Sequence, residues 1–443
     1  MGVRGLSRAG LVVAGVLLAG CVLAVPAQAQ PSRPRWDTRV LVTVPSPGYP
    51  AFAYVHPDGH IYEGTYDDPR GDSLPSKVLE YARDGALKRS WTVPGQTLSG
   101  PHGVQVATSD ARGRLLLLDL SPARALILDR DTGSFTPYAT FADLPTCAPG
   151  ATGPDCSPSL RNQPPEADYA VWGTDGSLYV TDYQQAVIWR VPPGGGAAQV
   201  WLADRRLDGD LFGTAGLVLD SDRTTLLFTQ GSSIGLGGGN PGTGKLYSVP
   251  IAPDGKPGAI TQLWESRFGD LPDGFAVATS GNIYIALVGL PNQLVELSHD
   301  GRELERFPQT PFTGANGAAK PFDNPSSAKF AGTSLIVPNQ SYIQGDPTHW
   351  TLLDVETGET GMPEYIPSGA GLRGAVAAAT GSGQPVSGVA PVVQLQTVAG
   401  LANTDRARGE ASSAAAIAGV MLLLAGLGTR RTGRRGVPGP RYS

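Results

Sequence analysis

Four residues in the middle of this chain, His102, Asp168, Asp273 and Asn324, are of types that could act together. Two carboxylates, an amide and an imidazole make an oxygen-rich set suited to Ca2+ or another hard divalent ion, with His102 as an added ligand or a base. An ion held there would be a Lewis acid able to activate a bound water. His102 and Asp273 are therefore the candidate catalytic pair, and Asp168, Asp273, His102 and Asn324 the candidate metal ligands. The plainer alternative is that these positions line a wet, polar opening and bind no particular molecule.

Other motifs carry less. Gly239-Asn-Pro-Gly-Thr-Gly244-Lys245 has phosphate-loop spacing, but Leu246 stands where the Mg2+-holding hydroxyl belongs, so a plain loop is expected. His56-Pro-Asp-Gly-His60 spans a turn and lacks the helical spacing of a zinc protease. No Gly-x-Ser-x-Gly occurs, and the seven tryptophans read as core wedges.

The elements that must position the four residues come from a repeat. Six times an alternating strand runs into a tight turn and a second apolar strand. The copies begin at Phe52, Val104, Tyr169, Leu217, Phe275 and Ala328, with turn anchors at Gly59, Gly113, Gly176, Arg223, Gly281 and Gly332. Asp-Gly and its relatives supply the positive φ that a short hairpin requires. Third strands ending in Gly85, Gly133, Gly301 and Gly358 follow several copies. Four-stranded units 47 to 63 residues apart are blades, and six of them predict an all-β, six-bladed β-propeller. A strand near Arg39–Val44 is free to close the ring. In a propeller the innermost strand of each blade lines the channel. Counting eight residues back from the anchors gives Ala51, Asp168, Ala215, Asp273 and Asn324 at one mouth, and a longer turn makes His102 the equivalent in the second copy.

Composition agrees. Gly and Pro supply 59 and 39 of 443 residues and charged residues only 16%, which fits a turn-rich β body and excludes a disordered chain or coiled coil. Seven of the 34 basic residues are arginines at the two ends. The stretch between is left with 27 basic against 39 acidic, a net charge of −12. Such a body repels phosphate backbones, and no nucleic-acid partner is expected.

Residues 1–29 have the layout of an export signal: Arg4 and Arg8, an apolar run, then Ala27-Gln28-Ala29 as a cleavage site. Leu18-Ala19-Gly20-Cys21 also reads as a lipobox, which would acylate Cys21. Cleavage after Ala29 is favoured, because Val22–Val25 would be an odd lipoprotein start. Residues 411–429 carry no charge and precede a run of arginines. As a helix they would rise about 28 Å, enough to span a membrane and leave residues 430–443 as a basic cytoplasmic tail. The propeller is expected over 30–366 and a Gly/Ala/Ser-rich stalk over 367–410. Cys147 and Cys156, with eight residues between them, most simply form a disulfide outside the cytoplasm. The whole is expected to be a monomer, tethered to the membrane outside the cytoplasm through its C-terminal helix.

Leu271-Pro-Asp-Gly-Phe-Ala-Val-Ala-Thr-Ser-Gly-Asn-Ile-Tyr-Ile-Ala resembles the fifth-blade signature of the gluconolactonase/regucalcin (senescence marker protein) family of six-bladed propellers. Ala167–Asp182 and Ala215–Asp222 are similar to its third and fourth blades, and the resemblance spans about residues 45–365. It implies a channel metal held by a Glu, two Asn and an Asp, and opening of sugar lactones by metal-assisted water attack. The family's Asp falls on Asp273 and one Asn on Asp168. The Glu falls on Ala51 and the other Asn on Ala215, neither of which can bind a metal. Two functions follow: a metal-assisted hydrolase of lactones or esters at the channel, or a noncatalytic cell-surface propeller that binds a ligand or protein.

Deletion of residues 411–443 is expected to release the body into the medium, read by fractionation. Membrane retention of the truncated protein, with release by Cys21→Ser, would instead assign the anchor to an acylated Cys21.

Overall fold

The structure is a computed structural model that describes residues 1–2, 33–46, 48–68, 72–151, 153–209, 212–232 and 243–372. The expected membrane helix and basic tail, nearly all of the export segment and most of the stalk lie outside the described residues. Among the described residues no helix is long and apolar enough to cross a membrane. Contacts divide the chain into Met1–Arg33 and Pro34–Ser443, and the propeller lies in the second unit.

Each of the six repeats forms an antiparallel sheet. The innermost strands of blades one to six are Pro50–Val55, Val104–Ser109, Ala167–Trp172, Thr214–Leu219, Pro272–Val277 and Lys329–Ala331. They neighbour one another in that order, and the sixth returns to the first. The turn anchors behave as their residue types predict: φ is +90° at Gly59, +73° at Gly113, +79° at Gly176, +57° at Arg223, +92° at Gly281 and +67° at Gly332. Blade six takes its fourth strand from the other end of the chain, with Thr38–Thr43 pairing antiparallel to Thr351–Glu356. Cys147 and Cys156 form the expected disulfide.

Blades pack face to face, so a middle strand is buried on both sides and reads as a continuous apolar run. Leu115–Asp119 shows this: Leu115 and Leu117 face one core cluster, while Leu116 and Leu118 face another with Trp172 and Val180 of blade three. Outermost strands meet solvent, and Leu87–Thr92 is accordingly charged and exposed.

After blade six the chain crosses the channel at its turn end. Gly361 bridges Ala278 of blade five, and Met362 donates its N–H to Val277. The Tyr365 ring then lies under the Arg223 guanidinium of blade four, 4.6 Å from ring centre to Cζ. Glu364 lies by the Tyr54 hydroxyl of blade one, and burial and Glu364 together raise the pKa of that hydroxyl. Ala370 is buried against blade two, its carbonyl accepting from Ala111. Blades five and two are opposite in a ring of six, so this segment spans the end diametrically. The first stalk residues, 367–372, are thus packed on blade two.

One buried acid stands apart. Glu63 is fully buried between blades one and six, opposite Ala53 and Leu79, and neither of its oxygens has a hydrogen-bond partner. Burial alone raises its pKa from 4.5 to about 8. A folded-state pKa above the unfolded one favours the folded protein in full below about pH 4.5, and that contribution is lost as pH rises through 8. Glu63→Gln is therefore expected to flatten the fall in stability between pH 5 and 8, worth about 1.4 kcal/mol per pH unit. Thermal melts at pH 5, 7 and 9 check this; parallel curves for both proteins would refute it.

Candidate functional site

At the mouth opposite the turns, the residues that point into the channel are set by irregular pairing. The register between the inner and second strands slips between Pro50 and Phe52, Ala167 and Ala170, Thr214 and Leu217, and Pro272 and Phe275. A bulge re-aims a side chain, and here each slip contains the second residue of its strand: Ala51, Asp168, Ala215 and Asp273. Neighbouring blades tie these positions down through their carbonyls. Ser326 Oγ donates to Ala51 O, Thr181 Oγ1 to Ala215 O and Thr229 Oγ1 to Asp273 O, each at 2.7 Å.

Asp168 and Asp273 are brought together. Gln105 Nε2 donates to Asp168 Oδ1 at 2.6 Å and to the Tyr66 hydroxyl at 2.9 Å. The Tyr169 hydroxyl lies 3.3 Å from Asp273 Oδ1 and 3.2 Å from Ser326 O. Asp168 is buried and Asp273 half-buried. Burial, then repulsion from Asp273, pushes the Asp168 carboxyl well up; burial likewise raises Asp273, against the hydrogen bonds from Tyr169 and the Gly274 N–H. Among the described residues no Lys, Arg or His side chain pairs with either carboxyl.

His102 and Asn324 are not part of this group. His102 is buried before the blade-two inner strand, with Nδ1 3.0 Å from Gly100 O and Nε2 2.7 Å from Leu74 O. Burial opposes its charge, but those carbonyls and the Asp67 and Asp72 carboxylates outweigh it and raise its pKa. Both ring nitrogens face loop carbonyls, which leaves neither for a ligand or a proton relay. Asn324 sits in a loop at φ +56°, its Nδ2 donating to Val288 O and its Oδ1 accepting from the Ile343 N–H. Counting back from the turn fails in these two blades. Blade two has its register slip farther along, between Val106 and Thr108, and blade six has an inner strand of only three residues.

The second residue of the blade-two strand is Gln105, and it fills the place expected for His102. Alignment on strand starts instead of turns would have found it. Tyr66 and Tyr169 were missed because nothing in their local sequence marks them as reaching the channel.

The structure thus does not bring the four expected ligands together. Two of its members are committed to loop carbonyls and amides, and two family positions are alanines. Among the described residues no group of three or more His, Cys, Asp or Glu side chains could hold a metal ion.

No protein-family model matches this chain, and no curated protein matches it in sequence. Solved structures do. A gluconolactonase from Xanthomonas campestris matches at 17% identity and TM-score 0.46, over 72% of this chain and 88% of that one. A Staphylococcus aureus virginiamycin B lyase with quinupristin matches at 16% and 0.43 (71% and 82%). A PQQ-bound aldose sugar dehydrogenase from Streptomyces coelicolor matches at 13% and 0.45 (72% and 97%). The chain is similar to gluconolactonase-type propellers. That likeness is one of fold, and the chemistry has to be argued from the mouth itself.

Gly274 shows how tightly the mouth is built. A Cβ there would lie 2.1 Å from the Tyr169 hydroxyl and 2.6 Å from Ser327 Cβ. Gly274→Ala is expected to cost roughly 1–3 kcal/mol of stability. Adding Tyr169→Phe, which removes the colliding oxygen, should recover part of it in denaturant unfolding; no recovery would place the strain elsewhere.

Proposed function

We propose that the mouth of the channel is a small-molecule site in which Asp168 and Asp273 act as an acid–base pair on a lactone or ester. The observation that carries this reading is the pair itself: two carboxyls at one mouth, linked through Tyr169, which follows Asp168 and reaches Asp273, one buried and one half-buried, with no cationic partner among the described residues. Like charges so placed favour the singly protonated state. Asp168, the deeper of the two and fixed by Gln105, is the member suited to hold the proton. Asp273, reachable from the mouth, is suited to act as base.

The reaction balances within the pair. Asp273 takes a proton from water as its oxygen adds to the carbonyl carbon. Collapse of the tetrahedral adduct breaks the acyl C–O bond, and Asp168 protonates the leaving alkoxide. Acid and alcohol are released, with one proton moved between the two carboxyls.

The export segment, the disulfide and the uncharged stretch 411–429 support placing this activity outside the cytoplasm on a membrane tether. The second reading, a noncatalytic binding propeller, is favoured by Ala51 and Ala215, which remove half of the family's ligand set.

A panel of γ- and δ-lactones and short esters tests both. Asp273→Asn is expected to lower kcat/KM at least a hundredfold. Lactone binding by the unaltered protein without turnover would leave the binding reading standing. Turnover only after Ca2+ is added would return the reaction to metal-assisted chemistry.

A further inference from the structure

Aromatic rings surround the carboxyl pair. Tyr49 packs against Tyr66 and Tyr342, with ring centres 5.6 and 6.1 Å apart, and Tyr183 packs against Phe212 at 5.2 Å. All five are partly exposed. They come from loops at the carboxyl end of the ring, flanking blades one, three, four and six. The two aromatic groups face the same acids: the charges of Glu166 and Asp168 act on the hydroxyls of both Tyr66 and Tyr183, and Glu166 on that of Tyr49 as well.

A second observation sets what the site lacks. Gln105 is buried, and its Oε1 has no hydrogen-bond partner. Its nitrogen is held by Asp168 Oδ1 and the Tyr66 hydroxyl. The mouth thus offers acceptors, negative charge and π-faces. Among the described residues the Arg161 guanidinium, whose charge also acts on the Tyr183 hydroxyl, donates to Gln184. The channel wall already seats an ammonium on a ring, with Lys329 Nζ 5.6 Å from the Phe52 centre.

We propose that the molecule taken at this mouth carries an organic cation, an amine or quaternary ammonium, seated on the Tyr49 and Tyr66 faces with its charge towards Asp168, Asp273 and Glu166. Ring faces attract a cation through their quadrupole, and the carboxyls complete the recognition that a neutral molecule of the same shape would not receive. The inference rests on the reading of the mouth as a small-molecule site and names its substrate class.

Calorimetric titration of the full-length protein with 1,4-diaminobutane, tetramethylammonium, butane-1,4-diol and δ-gluconolactone tests it, with Ca2+ as a separate arm. The diamine is expected to bind at least tenfold more tightly than the diol. Asp168→Asn and Tyr49→Leu should each weaken it about tenfold, while Tyr49→Phe, which keeps the ring, should not; melting curves check that each variant is folded. Diamine binding unchanged in Asp168→Asn and Tyr49→Leu would place the cation elsewhere and overturn the proposal. Binding of the lactone or diol, lost in Asp273→Asn, without diamine binding would overturn the cation class and leave the small-molecule site intact. Ca2+ binding without diamine binding would also overturn it, and binding of no probe at all would remove both readings.

Discussion

The structure depends on the pairing of Thr38–Thr43 with Thr351–Glu356. A propeller blade exposes the edge of its outermost strand, and a ring made of six successive units has one seam where the last must hold the first. Here the two ends of the ring share one sheet, so the seam is closed by backbone hydrogen bonds of long sequence separation. Everything at the mouth is downstream of that closure. Ser326 of blade six reaches Ala51 of blade one only because the sixth inner strand is brought beside the first. The Tyr169 hydroxyl, which touches Asp273, also leans on Ser326 O. A ring opened at the seam would release both.

Closure also leaves the two ends of the channel unlike. At the turn end the chain returns across the opening, from blade five to blade two, and fixes itself with Met362, Tyr365 and Ala370. At the other end four bulged strands and a set of loop tyrosines leave Asp273 within reach. A molecule acting on this protein would meet the carboxyls at the end the return segment does not cross.

The fold was legible in the sequence because the hairpin turns carry chemistry of their own. Residues able to take positive φ recur once per blade, and each of the six anchors takes it, Arg223 included. The strand closing the ring was legible too, because the strand near Arg39–Val44 stands ahead of the six hairpins and pairs with the last blade. The residues at the channel mouth were legible where the turn and the strand start keep a fixed distance. Asp168 and Asp273 were found in this way. His102 and Asn324 were misplaced because blade two slips at Val106–Thr108 and blade six shortens its inner strand, and neither irregularity leaves a mark in residue type. Tyr66 and Gln105 meet across two blades, so no local pattern joins them.

What separates the mouth from the rest of the molecule is how its acids are kept. Two buried carboxylates away from the mouth show the ordinary arrangement. Asp182 accepts from three backbone N–H groups and from Trp189 Nε1, and Asp270 is gripped by both terminal nitrogens of Arg306. Such satisfaction is what makes burial of a charge tolerable. Glu63 and the Asp168–Asp273 pair break that rule in different settings. Glu63 is enclosed by apolar neighbours and is neutralised by its proton, so its effect falls on stability alone. The pair opens to solvent through Asp273, where bulges, glycine at 274 and a rigid amide hold two like charges together. Two carboxyls kept at one mouth, with no cationic partner among the described residues, are a burden that the rest of the fold carries.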